Sequence, residues 1–538
     1  MFGCGWRSRR GGLYPNPHNP RPMASASPVP ELADAAAACA DRLRAADSVL
    51  LASHIDADGL TSAAVSATAL ERAGIPFETL FSKQLDDEEI AEIAATDHET
   101  VLFTDFGSGQ LDIITDHEEA GDFIPVIADH HQPADATTDY HLNPLLVGLD
   151  GASELSGAGA AYVLARALAQ TDTQSTTQPA TEPASATDGG TVTASQPGDS
   201  AADDPATDDS ATDPRADNRD LAALAVVGAV GDMQAGVDGL TGANEAIVAE
   251  GIEAGVVESA TDITLYGKQT RPLPKLLEYA SEARIPGISN DAAGAIEFLS
   301  ALDIDLETDD GWRCWVDLTD DERQTLLSAL IQYAVDHGVP ADRIDDLVGT
   351  TYQLSREESG TVLRDVSEFS TLLNATARYE RADVGLAVCL GDRDAAFDRA
   401  KTLLRNHRKN LSEGVDWVTS EGVTMADNVQ WFDAGEEIRE TIVGIIAGMA
   451  VGESGIRRDK PIIGFAAKSE TEIKVSARGS HTLTADGLDL SVVMREAARA
   501  VDGDGGGHDV AAGATIPTGT QEAFIDAADE IVGEQLSS

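Results

Sequence analysis

Short apolar runs alternating with Ala-rich amphipathic stretches constrain this chain more than any other feature. Ser48-Val-Leu-Leu-Ala-Ser-His54, Phe77-Glu-Thr-Leu-Phe81, Glu99-Thr-Val-Leu-Phe-Thr-Asp105 and Phe123-Ile-Pro-Val-Ile-Ala-Asp129 are short and apolar, and read as buried strands. Helical patterning fills 31–46 and 60–73, and Gly157 to Leu168 reads as an Ala-rich helix. Such alternation predicts an α/β fold around a parallel sheet. Three of these runs end on acids or histidines, and side chains at the carboxyl ends of parallel strands gather in one crevice.

The motifs are Ser-His-Ile-Asp-Ala-Asp-Gly at 53–59, Thr-Asp-Phe-Gly at 104–107, Ala-Asp-His-His at 128–131 and Val-Gly-Ala-Val-Gly-Asp at 227–232. His54, Asp56 and Asp58 alternate, so a continued strand would put them on one face and a tight turn would fan them around one centre. Gly59 would then allow a sharp exit into a helix from Leu60. The plain alternative is an Asp-Gly turn with helix-capping acids. Asp105, closing a strand, is placed to bridge two cations, although strand-end Asp is commonly a cap or turn former. Adjacent His130 and His131 point in different directions, so one can ligate metal while the other faces substrate, and Asp129 can fix an imidazole tautomer. Asp232 ends an apolar helix, where its charge opposes the helix dipole and a cation would compensate. Carboxylates and imidazoles without a thiolate suit Mn²⁺ or Mg²⁺ better than structural zinc.

Charge is extreme: 93 Asp and Glu against 37 Lys and Arg, a formal net charge of −56. Such a balance repels polyanions at low salt. It fits a hypersaline cytoplasm, where salt screens charge over about 3 Å at 1 M. Cys4, Cys39, Cys314 and Cys389 lie far apart, which gives neither a zinc module nor a disulfide framework and suits a reducing cytoplasm. No apolar run approaches the ~20 residues of a membrane span.

Residues 1–23 are expected to be a non-native or disordered extension, with Met23 the true initiator. Between Thr171 and Pro214 the only branched aliphatic residue is Val192, so 170–219 reads as a disordered acidic insertion within the first domain, 24–310. A middle domain is expected over 311–430, with a capping box at Thr319-Asp-Asp-Glu322 opening a helix that Gly338 stops. A smaller α/β domain follows over 431–538. There, Asp504-Gly-Gly-Gly-His508 reads as a Gly-rich turn whose bare N–H groups, at Gly505, Gly506 and Gly507, could hold a phosphate oxygen beside His508. Arg478 could add a bidentate phosphate contact.

Taken together, the motifs resemble the DHH phosphoesterase superfamily, and Arg478 with Gly505-Gly-Gly-His508 and Ala511-Ala-Gly513 resembles its C-terminal companion domain. Leu363-Arg-Asp-Val-Ser-Glu-Phe-Ser-Thr-Leu-Leu-Asn374 resembles the archaeal RecJ-like branch, which includes a nuclease associated with GINS; with the acidity, a haloarchaeal member is expected. The resemblance implies a metal-dependent exonuclease on single strands of DNA or RNA, working in replication or repair and releasing mononucleotides. It implies two Mn²⁺ or Mg²⁺ ions held by His54, Asp56, Asp58, Asp105, His130 and Asp232, with Asp105, Asp129 and His131 catalytic. His131 would contact the scissile phosphate, and Arg478 and His508 would hold the strand. GINS and other replicative-helicase components are the protein partners it raises. Two other readings stand beside it: a small-nucleotide or oligoribonucleotide phosphodiesterase, and a non-catalytic replication scaffold.

Overall fold

In the computed structural model, described residues are 27–169, 213, 215–280, 284–309 and 311–537. The expected extension at 1–23 and most of the insertion at 170–219 lie outside them. The chain divides into two compact units: Met1–Ser53 with Val65–Asp262 and Val348–Arg356, and His54–Ala64 with Ile263–Leu347 and Glu357–Ser538.

The first unit is built on a five-stranded sheet. Its strands are β1 (Val49–His54), β2 (Phe77–Ser82), β3 (Thr100–Thr104), β4 (Ile124–Ala128) and β5 (His141–Leu142), in the order β2-β1-β3-β4-β5. β1, β3, β4 and β5 run parallel. Between and beyond them come α1 (Ala33–Arg44), α2 (Ala57–Ala73), α3 (Asp87–Ala94), α4 (Leu111–Ala120), α5 (Gly157–Ala169) and α6 (Ala222–Gly231). The period-2 alternation of a strand sends Leu50, Ala52, Val101, Phe103 and Ile127 into a core with Ile90 and Ile93 of α3 and Leu111 and Ile114 of α4. Val49, Leu51, Leu102 and Val126 alternate with them and are also fully buried, while α1 and α5 pack on each other and against β4. Burial on both faces explains why these strands are continuous apolar runs. Strand order reverses direction between β1 and β3, the switch point at which open parallel sheets bind ligands.

The second unit contains α7 (Asp320–Asp336), α8 (Val366–Arg378), α9 (Ala395–Glu421), α10 (Val443–Ala450), α11 (Leu490–Arg499) and α12 (Gln521–Leu536). The capping box forms as expected: Thr319 accepts from the Glu322 N–H, and the Glu322 carboxylate accepts from the Thr319 N–H at 2.7 Å. Its sheet comprises β6 (Thr424–Met425), β7 (Gln430–Asp433), β8 (Ile462–Ala467), β9 (Glu472–Arg478), β10 (Asp504–Gly507) and β11 (Ala511–Pro517), ordered β6-β7-β8-β9-β11-β10. Ile473, Val475 and Ala477 face a core with α11 and α12. Lys474, Ser476 and Arg478 therefore point to the opposite face.

The Gly-rich segment is not a turn. Asp504–Gly507 is an edge strand paired antiparallel with β11, and the chain reverses at 508–510. Glycine is needed because α11 lies close beneath: a Cβ on Gly505 would stand 2.6 Å from the Met494 carbonyl oxygen. Half of the strand's N–H groups therefore belong to the ladder rather than to a phosphate-holding concavity. Arg478, Ala511 and His508 still fall opposite one another across β9, β11 and the bend. Directly opposed residues share a face, so this sheet end carries a cation, a small gap and an exposed imidazole in a row.

Candidate metal centre

Ser53, Thr104 and Ala128 are paired in register across β1, β3 and β4. The residues that follow them, His54, Asp105 and Asp129, consequently leave three neighbouring strands at one level, spaced by about 4.8 Å per strand.

Asp105 is 2% exposed and has φ 60°, a left-handed conformation that a non-glycine residue adopts at a cost. Its N–H still donates to the Ala128 carbonyl at 3.1 Å, so the strand's hydrogen bonding is kept while the side chain is re-aimed. The carboxylate lies 3.3 Å from His130 Nε2, and the Asp232 carboxylate approaches the same nitrogen to 3.7 Å. His130 Nδ1 lies 2.7 Å from the Gly151 carbonyl oxygen. A carbonyl only accepts, so Nδ1 carries the proton. With Nδ1 committed as a donor, Nε2 faces two carboxylates, and a cation bound there would take the Nε2 lone pair together with both of them.

Asp129 is fully buried and saturated. It accepts from the N–H groups of Ser108 at 3.0 Å, His130 at 2.7 Å and His131 at 3.3 Å, and from His131 Nδ1 at 2.8 Å. Burial alone would raise its pKa, but the His131 hydrogen bond, both imidazoles and the Ser108 N–H together hold it far below the carboxylate range. His131 is displaced upward by the same hydrogen bond, against the effect of burial. Asp105, Asp129, His130 and His131 offer ligand atoms within 4.8 Å of one another. Asp129, with four bonds already accepted, is the orienting member of this set.

Asp232 caps the end of α6 as expected, and Gln234 Nε2 donates to its carboxylate at 2.8 Å. The first motif departs from both geometries considered for it. β1 ends at His54 and α2 begins at Ala57, so Asp58 and Gly59 lie in the first helical turn. Asp56 caps that turn by accepting from the Gly59 N–H at 3.0 Å, while His54 Nδ1 lies 3.2 Å from the same carboxylate oxygen. Burial pushes the Asp56 carboxyl up, but His54 and the Gly59 N–H outweigh it and hold it low. The capping role and the alternating motif are therefore both present. Gly59 is needed for a close approach rather than for a turn: its Cβ would sit 2.2 Å from the His54 carbonyl oxygen.

Sequence reasoning missed the supports. Gly151 anchors His130 through a carbonyl oxygen, which any residue type carries, so no side chain announces it. Gln234 also donates to Gly151, at 2.9 Å, and is itself held by Asn244 Nδ2 at 2.6 Å. Asn143 donates to Ser108 Oγ at 2.9 Å. Gly157, the first residue of α5, is the most telling: a Cβ there would stand 2.4 Å from Asp105 Oδ1. The available signal was glycine at the start of an Ala-rich helix, where it costs helix stability relative to Ala.

Residues 48–187 match the DHH family N-terminal domain, 265–348 the DHH-CID domain and 428–534 the DHHA1 domain. The chain carries DHH-superfamily domains. An uncharacterized protein of Methanocaldococcus jannaschii is 29% identical over 491 residues, 90% of this chain and 93% of that protein. Among solved structures, RecJ from Thermus thermophilus in complex with Mn²⁺ is similar over 95% of this chain, with TM-score 0.55 and 17% identity; the chain spans 56% of that RecJ. An exonuclease RecJ bound to manganese gives TM-score 0.53 at 18% identity over 95% of this chain and 96% of that one. CDC45 from Entamoeba histolytica gives TM-score 0.60 at 11% identity over 93% and 99%. At these identities the likeness is one of fold, with DHH, DHH-CID and DHHA1 domains following one another along the chain. Among the described residues, no helix is long and apolar enough to cross a membrane.

Proposed function

We propose that this DHH protein is a metal-dependent exonuclease that hydrolyses phosphodiester bonds of single-stranded DNA or RNA and releases mononucleotides. The observation that carries the reading is His130, whose Nδ1 is tied to the Gly151 carbonyl while Nε2 faces Asp105 and Asp232. A buried ring anchored through Nδ1, with Nε2 toward two carboxylates, is a ligand set prepared for a divalent cation. His54, Asp56, Asp58, Asp105, His130 and Asp232 are the residues assigned to two Mn²⁺ or Mg²⁺ ions. When bound, these ions supply the Lewis acidity and acidified water that in-line attack on phosphorus requires.

The chain's own groups do the rest. Asp129 orients His131, leaving its Nε2 to donate to a non-bridging phosphate oxygen. Arg478 and His508, on one face of the DHHA1 sheet end, hold the substrate strand, with Gly505, Gly506 and Gly507 keeping the edge bare. Arg478 Nη1 donates to its neighbouring carbonyl at Ala477, 2.8 Å away, which fixes the guanidinium's direction. Work in replication or repair, GINS as a partner, a cytoplasmic location and a haloarchaeal origin belong to the same proposal and rest on the sequence resemblance and acidity.

The test is degradation of 5′-labelled and 3′-labelled strands, DNA and RNA, with Mn²⁺ in concentrated KCl, beside Asp105→Asn. Mononucleotide release by the wild type, lost in the variant, supports the reading and gives the polarity. Cleavage of dinucleotides alone would replace it with a small-nucleotide phosphodiesterase. Silence on both would leave a scaffold.

A further inference from the structure

In a chain with 93 acidic and 37 basic residues, residues 399–412 contain no acid, yet carry Arg399, Lys401, Arg405, Arg408 and Lys409. All lie on α9. At about 100° per residue, Lys401, Arg405, Arg408 and Lys409 fall within an arc of about 100°, so four of the five cations form one edge of the helix. Arg405 and Lys409 are exposed and Lys401 is 39% exposed at its side chain; Lys401 pairs with Asp398 at 2.8 Å and Lys409 with Glu413 at 3.5 Å, solvent-exposed pairs weak enough for a phosphate to displace the carboxylate.

Tyrosines stand beside this edge. Arg408 Nη2 donates to the Tyr266 hydroxyl at 2.6 Å, and its guanidinium lies 5.5 Å from that ring's centroid. Arg271 sits between two rings, 4.7 Å from the centroid of Tyr266 and 5.0 Å from that of Tyr279, which is 48% exposed. Lys275 lies 5.2 Å from the Tyr279 ring. Two guanidiniums thus share one tyrosine, and among the described residues neither forms an ion pair in a protein dense with carboxylates. Mutual repulsion and burial both depress the Arg271 pKa, burial more. The Glu368 carboxylate acts on both guanidiniums and offsets part of this repulsion, and an anion arriving between them would relieve the rest.

The segment's attachment gives its direction. Glu368 of α8 accepts from the Gln269 N–H at 2.7 Å and the Thr270 hydroxyl at 2.6 Å, so it pins the loop that carries Tyr266 and Arg271. Six residues along the same helix, Asn374 accepts from the Ala57 N–H at 3.1 Å, three residues after His54. Six residues are about 9 Å of helical rise. The tyrosine–arginine stack is therefore tied to the same rod that braces the first acidic motif.

We propose that the Lys401–Arg405–Arg408–Lys409 edge, with the Tyr266–Arg271–Tyr279 stack, is a binding face for a single strand of nucleic acid. It takes phosphates on the cations and stacks a base on Tyr279. Alternating cations and aromatic rings are the chemistry that holds single strands without reading sequence. The inference rests on the nuclease reading above and deepens it: a longer strand offers this face several phosphates and bases, whereas a dinucleotide offers it almost none.

The test uses the full chain, a fluorescently labelled dT20 and the dinucleotide pdTdT. Binding is measured by anisotropy in EDTA, so that the acidic site contributes no metal-mediated affinity, from about 0.2 to about 1 M KCl. Lys401→Ala/Arg405→Ala/Lys409→Ala changes only the solvent side of the edge and spares the Tyr266 loop; Arg408→Ala is the second variant. The triple variant is expected to weaken dT20 binding at least tenfold at the lowest salt. It should also flatten the log–log salt slope by about 2, three contacts at about 0.7 each. With Mn²⁺, the ratio of dT20 to pdTdT hydrolysis rates should fall by a similar factor. Unchanged dT20 affinity and slope in both variants, while the wild type degrades strands, would overturn this face and leave the nuclease reading intact. A wild type that hydrolyses neither substrate would sink the nuclease reading. A wild type that binds no dT20 but captures polyglutamate through these residues would overturn the nucleic-acid face in favour of an acidic protein partner.

Discussion

Gly157→Ala isolates the geometry of the acidic site from its chemistry, because no reacting group is removed. The added Cβ would lie 2.4 Å from Asp105 Oδ1, 2.7 Å from its Cβ and 2.8 Å from its Cγ. Ordinary contact begins near 3.4 Å, so the carboxylate or the start of α5 must yield by about 1 Å. Asp105 has little room to yield, since it is 2% exposed, left-handed at φ 60° and bounded by His130. Overpacking of this kind costs about 1–3 kcal/mol. Replacing a helical glycine returns up to about 1 kcal/mol, so the net loss of stability is modest, about 0–2 kcal/mol. Function is hit harder. A displacement of about 1 Å at a ligand costs up to about 10²-fold in rate, and a disturbed ligand shell about tenfold or more in metal affinity. Titration calorimetry with Mn²⁺, thermal melts and strand degradation would separate these terms. Gly109→Ala is the control, because a Cβ there meets nothing nearer than the Gln132 carbonyl at 3.9 Å. Gly157→Ala with wild-type Mn²⁺ affinity and wild-type rate would refute the claim that α5 sets the position of Asp105.

Asp129→Asn is expected to destabilise the protein by about 3 kcal/mol, because an amide turns one of its donors toward N–H groups that need an acceptor. The folded pKa of Asp129 is depressed, so its stabilisation is present above about pH 3.9 and lost as pH falls; the difference from wild type should shrink in acid, as chemical denaturation across pH would reveal. Glu368 behaves oppositely. Burial pushes its pKa up to about 7 from 4.5 despite bonds from Thr270 and Gln269, so the folded state favours the protonated form. Stability from this group is full below about pH 4.5 and lost as pH rises through 7, a swing of about 3 kcal/mol. Thermal melts of Glu368→Gln should show a flatter pH dependence than wild type and higher relative stability at pH 8; identical profiles would contradict this. Thr319→Ala removes one half of the capping box and should cost about 1 kcal/mol in urea unfolding, without effect on Mn²⁺ binding.

The legible part of the site was the part carried by strand periodicity. Continuous apolar runs identify strands buried on both faces, and the residue that ends each run must emerge at the sheet's carboxyl edge; His54, Asp105 and Asp129 were readable for that reason. The capping box at Thr319 was readable because its partners are three residues apart. The Gly505-Gly-Gly507 run was misread because glycine is equally the residue of a tight turn and of a strand pressed against a helix. Only pairing with β11, and the closeness of α11 to Gly505, distinguish the two. Gly59 was misassigned on the same ground.

By itself, the sequence determined which chemical groups are available and in what order they reach the sheet edge, since both follow from local periodicity and residue type. Tertiary structure decided that Nδ1 of His130 is an anchored donor and Nε2 the face toward the carboxylates, because the Gly151 carbonyl that holds the ring lies 21 residues away. It decided that Asp129 orients while Asp105 faces His130, because that depends on how many donors converge on each carboxylate. It also decided that Arg271 and Arg408 meet over one tyrosine, although 137 positions separate them, since chain folding and not local pattern brings distant cations together.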